Sequence, residues 1–160
     1  MRIKLTPKIS YIVGVTKYCG VGNGIGIKGR GPLQRAFAQG AIEAGIASPD
    51  KMVVKTASIR FYHSTYKAFI SKMQKEAVDK YKHHNDYAAA YLAGIFDSVG
   101  MMEEGRACLR KCDRMDDAIF ENLGFGIRNE GGKLRVGHWE QFLKFVSGFR
   151  KVDDLELMRR

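Results

Sequence analysis

The sequence predicts an α+β domain that consists of two similar halves. The first observation is a repeat, because Tyr11–Gly20 and Tyr91–Gly100 match after a shift of 80 residues, with tyrosine first and glycine fourth and last in both. The second is the order helix, strands, helix, strands, helix in each half, as expected for two copies of one unit. The third is an alternation of apolar and basic residues, which is typical of an antiparallel sheet with one buried face. We place the halves at residues 1–84 and 85–160 of one domain.

The elements of the first half begin and end at residues that suit their type. Thr6 suits an N-cap and Pro7 suits the first helical position, so we predict a helix through residues 9–18. Gly20 then ends this helix, and the alternation of Ile25–Lys28 predicts a short strand. The remaining predicted elements are a helix from Pro32 to Ala44, a strand pair within residues 52–62, and a long helix that Ser64 or Thr65 caps and that runs to about Lys82.

The second half repeats this order of elements. Asn85 or Asp86 is expected to cap an alanine-rich helix, which contains the second copy of the repeat. Beyond it we predict a hairpin within residues 101–112, a helix over 115–123 capped by Asp113, a hairpin of 124–129 with 133–137, a helix over 139–149 and a last turn within 152–158. No linker or low-complexity stretch separates the halves, so we expect a single domain.

Basic residues alternate with apolar residues along the predicted strands. Arg60 stands between Ile59 and Phe61, and Arg135 occupies the equivalent place in Leu134–Val136. Because successive side chains of a strand point to opposite faces, we expect the basic ones to share an exposed face. The residues expected to bind nucleic acid are Lys28, Arg30, Lys55, Arg60, Arg106, Arg110, Arg128, Lys133 and Arg135.

The net charge of +10 lies entirely in the first half. Residues 1–80 hold 14 Lys and Arg against 4 Asp and Glu, whereas residues 81–160 hold 13 of each. A positive field of this size favours a polyanionic partner, with nucleic acid ahead of an anionic membrane. The alternative to a polyanionic partner is that the positive charge serves only to keep the protein soluble.

Composition and spacing argue against several other classes of protein. No apolar run reaches the roughly 18 residues of a membrane span, so we expect no membrane partner. The three cysteines do not make a disulfide framework and the start lacks a secretory signal, so we expect an intracellular location, in a mitochondrion, a plastid or the cytoplasm. The cysteines and histidines lack zinc-site spacing. Gly24–Gly29 matches a dinucleotide-binding motif, but no parallel βαβ unit is predicted around it.

One stretch resembles a known family. Leu92–Gly100 reads Leu-Ala-Gly-Ile-Phe-Asp-Ser-Val-Gly and is similar to the motif of the LAGLIDADG homing endonucleases and intron maturases. Ile12–Gly20 is a degenerate copy, so the chain resembles the single-chain, pseudo-twofold form of the family. The resemblance implies a saddle-shaped, curved antiparallel sheet along duplex nucleic acid, with the two motif helices at its centre. It also implies that Gly14 and Gly94 let these helices approach closely.

The chain departs from the family at the positions that carry the chemistry. The resemblance implies a metal-binding acid at the next-to-last motif position of each helix, but those positions are Cys19 and Val99. Valine offers no ligand and cysteine prefers softer metals than Mg²⁺, so we expect both residues to serve the helix interface. We therefore expect no catalytic residue, no metal and no cofactor. Mg²⁺ would be required only in a displaced active site, formed by Asp97 with Glu103 or Glu104.

Three functional hypotheses follow from these observations. The first is a non-catalytic protein that binds structured RNA, with RNA favoured over DNA. Such a protein would act like a maturase or join other proteins in a ribonucleoprotein such as a ribosome. The second is an active DNA homing endonuclease with displaced acids. The third is a protein-interaction domain whose basic face meets an acidic partner. We expect no obligate homodimer, because the single chain contains both halves.

Overall fold

The computed structural model describes residues 2–160, which form two antiparallel sheets and eight α-helices. The first half contains α1 (Pro7–Cys19), β1 (Ile25–Lys28), α2 (Pro32–Glu43), β2 (Val53–Lys55), β3 (Ser58–Phe61), α3 (Ser64–Lys75) and α4 (Ala77–Lys80). The second half contains α5 (Asp86–Val99), β4 (Gly100–Glu103), β5 (Arg106–Leu109), α6 (Arg114–Asn122), β6 (Ile127–Glu130), β7 (Lys133–Val136), α7 (Trp139–Val146) and α8 (Asp154–Met158). The predicted α+β class is confirmed.

Each half contributes one antiparallel sheet. The strand orders are β1-β3-β2 in the first sheet and β4-β5-β7-β6 in the second. The orders β1-β3-β2 and β5-β7-β6 correspond, so the first sheet has no counterpart of β4. At that place the chain forms only an isolated bridge between Gly20 and Ile27. Glycines at positions 22 and 24 follow the bridge, and glycine weakens a strand because it adds no side chain to pack.

The two motif helices, α1 and α5, pack against each other at the centre of the fold. Residues 9–16 of α1 and residues 88–99 of α5 are buried without interruption. A helix that is apolar all round is buried all round, so neither helix has a solvated stripe along these residues. Both sheets and the outer helices are arranged around this pair.

The helix caps follow the sequence closely. The Thr6 hydroxyl accepts a hydrogen bond from the backbone N–H of Ile9 at 3.1 Å, directly before Pro7. Asn85 caps α5 and Asp113 caps α6 in the same way, and each accepts from the N–H three residues further on. These caps fix the starts of α1, α5 and α6 where the sequence predicts them.

The helix predicted over residues 64–82 is two helices instead of one. The chain leaves helical geometry at Glu76, with φ −100° and ψ 15°, and α4 begins at the next residue. The cap is also different, because the imidazole of His63 accepts the first backbone hydrogen bond. Beyond the break the buried ring of Tyr81 stacks on Tyr91 of α5, with ring centroids 4.3 Å apart. The break between α3 and α4 therefore occurs just before the chain packs the Tyr81 ring against α5.

Candidate nucleic-acid interface

The register of the first sheet places three of the predicted cations on its open face. Ser58 of the central strand lies opposite Lys28 on one side and opposite Lys55 on the other. Directly opposite residues share a face, and Arg60 is two positions along the same strand, so all three cations point away from the core. Arg30 is exposed just beyond the end of β1.

Arg60 is held across the open face by its neighbours. Its Nη1 donates a hydrogen bond to the Asn23 carbonyl at 3.0 Å. Opposite Arg60 stands Gly26, where an added Cβ would lie only 2.7 Å from the Arg60 Cα and Cβ. The glycine therefore leaves the space that this arginine occupies.

The second sheet places five predicted cations on its own open face. Arg135 of the central strand lies opposite Cys108 and opposite Arg128, in the same arrangement as Arg60 in the first sheet. Alternation along each strand assigns the remaining cations to this face. They are Arg106, Arg110 and Lys133.

Ion pairs neutralise two cations of the second sheet. Lys133 pairs with Glu103, and Arg135 lies 3.2 Å from Glu104 and 2.8 Å from Glu130. Lys133 and Arg135 are predicted from the sequence to contact nucleic acid, and in this structure both are paired with acids of their own half. Glu103 is the last residue of β4, Glu104 lies in the turn after it, and Glu130 ends β6, which pairs with β7.

The two open faces therefore differ in charge. The first carries three cations and no acid, whereas the second carries five cations with Glu103 and Glu130 among them. Within residues 2–160, the predicted cations that have no carboxylate within 4 Å include Lys28, Arg30, Lys55, Arg106 and Arg128. A phosphate chain would meet the strongest uncompensated field on the first sheet.

Gly14 and Gly94 lie where α1 and α5 touch. An added Cβ at Gly14 would lie 2.1 Å from the Tyr91 carbonyl oxygen. An added Cβ at Gly94 would lie 2.3 Å from the Tyr11 carbonyl oxygen and 2.5 Å from the Val15 nitrogen. Real Cβ atoms do not approach backbone this closely, so glycine is required at both positions for this helix spacing.

The repeat-equivalent tyrosines of α1 and α5 each donate a hydrogen bond to a buried carboxylate, but only the bond of Tyr11 crosses the helix pair, because Asp116 belongs to α6. Tyr11 donates from its hydroxyl to Asp97 at 2.8 Å, and the repeat-equivalent Tyr91 donates to Asp116 at 2.6 Å. Lys17 stands at the repeat position of Asp97 and lies 2.9 Å from Asp116. The first half thus carries a lysine where the second carries an acid, and Asp116 of α6 supplies the missing negative charge.

The last position of each motif helix, Cys19 in α1 and Val99 in α5, has no carboxylate, and two cations lie nearby. Val99 is buried, and the Cys19 thiol lies 3.9 Å from the Ser98 carbonyl. Two guanidinium groups meet the same carbonyl, Arg110 at 2.8 Å and Arg160 at 3.5 Å. Arg160 is not predicted from the sequence, because no pattern around it indicates that the chain returns to the end of α5.

The structure does not bring the displaced acids together. Asp97 is fully buried, where it accepts hydrogen bonds from Tyr11 and from the Lys151 backbone N–H at 2.7 Å. Glu103 and Glu104 lie on the open face of the second sheet and pair with its cations. Asp97 therefore anchors the segment before α8 to the helix interface.

The buried position of Asp97 predicts a pH-dependent loss of stability. Burial raises the pKa of this carboxyl to about 6, against about 3.9 in an unfolded chain. Between these values the folded protein binds more protons, so stability falls as pH rises from about 4 to about 6, by about 3 kcal/mol in full. Urea denaturation of the wild type and of Asp97→Asn, at several pH values between about 4 and about 6, measures this loss of stability. The wild-type free energy of unfolding should decline relative to that of the variant, and parallel curves would contradict the prediction.

Other sites weighed from the sequence are not formed by the described residues. The strand within Gly24–Gly29 pairs antiparallel with β3, so the parallel unit of a dinucleotide site is missing there. Within residues 2–160, no three side chains of His, Cys, Asp or Glu cluster closely enough to hold a metal ion. In the same part of the chain, no helix has both the length and the apolar character to cross a membrane.

The architecture is that of the single-chain LAGLIDADG homing endonucleases, which confirms the fold that the motif implies. The solved structures with which it aligns include I-DmoI. Mesophilic variants of this homing endonuclease align with a TM-score of 0.59 at 13% identity, over 89% of this chain and 96% of theirs. No protein-family model and no curated protein matches the sequence.

Two further similar structures are complexes of I-DmoI variants with target DNA in the presence of manganese. The complex with nicked DNA aligns with a TM-score of 0.56 at 15% identity, over 89% of this chain and 94% of that chain. The other aligns with a TM-score of 0.54 at 13% identity, over 94% and 97%. At these identities the likeness establishes the fold.

Proposed function

We propose that this protein binds nucleic acid along its two open sheet faces and does not cleave it. The observation that carries the proposal is the strand register, which gathers eight of the nine predicted cations on those faces. Lys and Arg supply the phosphate contacts on which non-specific affinity depends. The fold adds support, because similar structures hold target DNA.

The C-terminal ends of the motif helices lack the carboxylates that cleavage would need. Two-metal hydrolysis needs oxygen ligands that hold both ions beside the attacked phosphate. The positions that would supply them are Val99, which is buried, and Cys19. Asp97 is engaged with Tyr11 and Lys151 inside the fold. The cations near Ser98 would also oppose a bound Mg²⁺.

Structured RNA is the target that we favour, as part of the same proposal. A fold that retains a basic binding surface without metal-binding acids suits a maturase-like factor or a ribonucleoprotein component, which holds its ligand intact. Duplex DNA is the second candidate, and the DNA complexes of the similar structures favour it. In-cell crosslinking followed by sequencing of the attached nucleic acid would separate intron RNA, ribosomal RNA and DNA in one measurement, and would show the compartment.

Filter binding over a salt series tests the proposal directly. With matched 24-base-pair RNA and DNA duplexes, five or more phosphate contacts predict a log–log salt slope of about −5 or steeper. A hairpin RNA with a bulge is expected to bind more tightly than either duplex. A slope near zero would show that the open faces do not bind phosphates, and would favour the protein-interaction hypothesis.

Cleavage is tested separately on the same protein. Incubation with Mg²⁺ or Mn²⁺ and a plasmid library is expected to leave every plasmid intact. A specific cut that Asp97→Asn abolishes would overturn the non-catalytic part of the proposal and restore the displaced-acid hypothesis. A cut that survives this variant would assign the chemistry to other residues and would equally overturn it.

A further inference from the structure

Two arginines converge at the seam, which we define as the place where the C-terminal ends of α1 and α5 meet. Arg110 follows β5 and donates from Nη2 to the Ser98 carbonyl at 2.8 Å. Arg160 donates from Nη1 to the Gly100 carbonyl at 3.1 Å and lies 3.5 Å from that of Ser98. Each guanidinium carries five N–H donors, so most donors of both groups stay free for another acceptor.

Within the part of the chain that the structure describes, neither arginine at the seam forms an ion pair. Among the groups of residues 2–160, no carboxylate oxygen lies within 4 Å of either guanidinium. Burial, followed by the nearby Arg110, lowers the pKa of Arg160, and the more distant Glu156 and Asp97 offset only part of this effect. Two like charges in one half-buried place repel each other, and a bound anion would relieve that repulsion.

The seam lies between the inner edges of the two sheets. β4 begins at the residue after α5, and Gly20 at the end of α1 bridges to Ile27 of β1. The backbone N–H of Arg110 donates to the Val99 carbonyl at 2.8 Å, which ties the end of β5 to the same place. Because Arg110 belongs to the open face of the second sheet, an extended ligand that touches both open faces would cross the seam.

We propose that Arg110 and Arg160 form a phosphate-binding site at the seam that holds one backbone phosphate of the nucleic acid without a divalent ion. Guanidinium groups bind phosphate oxygens through paired, charge-assisted hydrogen bonds, which suits two converging arginines. This inference rests on the proposed function, because it names the phosphate contact midway between the two faces. Binding is then as tight in EDTA as in Mg²⁺ at equal ionic strength.

Paired substitutions test the site against a matched control. Arg110→Gln with Arg160→Gln keeps one donor amide at each position and removes both charges. Lys111→Gln with Arg159→Gln removes two charges from the exposed neighbours in sequence. With the 24-base-pair RNA duplex, the seam pair is expected to lose at least tenfold in affinity and to reduce the salt slope by about 1, as for the loss of one phosphate contact. The control pair should change affinity by less than about twofold.

A second measurement separates this inference from the proposed function. The arginine Nε–H resonances of Arg110 and Arg160, assigned by loss in the single Gln variants, are followed as sodium pyrophosphate is added to the wild-type protein. Both should shift together, whether or not a duplex binds. Unmoved resonances in a protein that still binds the duplex would overturn the seam site alone. Shifts with pyrophosphate but no duplex binding would keep the seam as an anion site and overturn the proposed function.

A lysine variant provides a further test of the phosphate-binding site at the seam. If the seam pair unfolds, Arg110→Lys with Arg160→Lys replaces it, since lysine keeps the charge and loses the paired geometry. That variant should keep the salt slope and lose affinity. Equal affinity of the lysine variant and the wild type, or duplex binding that requires Mg²⁺, would contradict the proposal.

Discussion

Reversal of charge at Lys28, Lys55 and Arg60 is expected to lower the affinity for duplex nucleic acid about 100-fold. Each side chain lies on the open face of the first sheet, where no acid offsets it. A unit charge pair at 4 Å is worth about 1 kcal/mol in water, and reversal to Glu turns attraction into repulsion. Reversal therefore changes the energy of each pair by about 2 kcal/mol, and screening at physiological salt roughly halves that change. The three positions together then lose about 3 kcal/mol of binding free energy.

The control for this experiment reverses three exposed lysines away from both open faces. Lys72, Lys75 and Lys144 lie on the outer helices α3 and α7, and their reversal to Glu changes the net charge by the same amount. Filter binding at 0.15 M salt should then show only a small loss, because the local field of the first sheet is intact. An equal loss in both triple variants would mean that net charge, not the sheet face, governs binding.

The two sheets are expected to contribute unequally to binding. Neutralisation of Lys133 and Arg135 to Gln should cost less affinity than neutralisation of Lys28 and Arg60, although both pairs remove two charges. The former pair already faces Glu103, Glu104 and Glu130, and its removal leaves these acids uncompensated. A larger loss from the second sheet would show that its ion pairs open when nucleic acid binds.

Local sequence patterns were enough to predict most of the fold. Thr6 and Asn85 cap their helices because a short polar side chain reaches the N–H three residues on. The alternation around Arg60 and Arg135 fixes which side chains leave the core, since strand side chains alternate with period two. The repeat located Gly14 and Gly94, and the helix contact found there depends on both.

Partners that lie far apart in sequence were not predictable in the same way. Glu103 reaches Lys133 only because β4, β5 and β7 are neighbours in the second sheet, which no local pattern reveals. Lys17 pairs with Asp116, which is almost 100 residues away in the sequence. In the sequence, neither residue can be distinguished from an ordinary charged residue of the surface. Arg160 returns to the end of α5 for reasons of tertiary packing alone. The sequence thus predicts which strand face carries the basic residues. The acids that pair with some of them are seen only in the structure.

Gly94→Ala is expected to destabilise the fold by at least about 4 kcal/mol, a loss found only for severe packing or strain defects. The new methyl group would meet the Tyr11 carbonyl oxygen and the Val15 nitrogen, both of which are backbone atoms. Neither can rotate away, so α1 and α5 must separate. Gly14→Ala should behave alike, because its Cβ would meet the Tyr91 carbonyl in the equivalent place. Stability in urea measures both.

Gly148→Ala provides the matched control, since no atom lies within 4 Å of its added Cβ. Its effect on the free energy of unfolding should stay within about 0.5 kcal/mol, as for most surface substitutions. Separation of the central helices would also stretch the hydrogen bonds that cross between them, from Tyr11 to Asp97 and from Lys17 to Tyr91, and so would remove one of the partners of the buried Asp97 carboxylate. Wild-type stability of Gly94→Ala would therefore mean that the helix pair tolerates a wider spacing with these bonds intact. In that case the motif glycines would no longer explain the close contact at the centre of the fold.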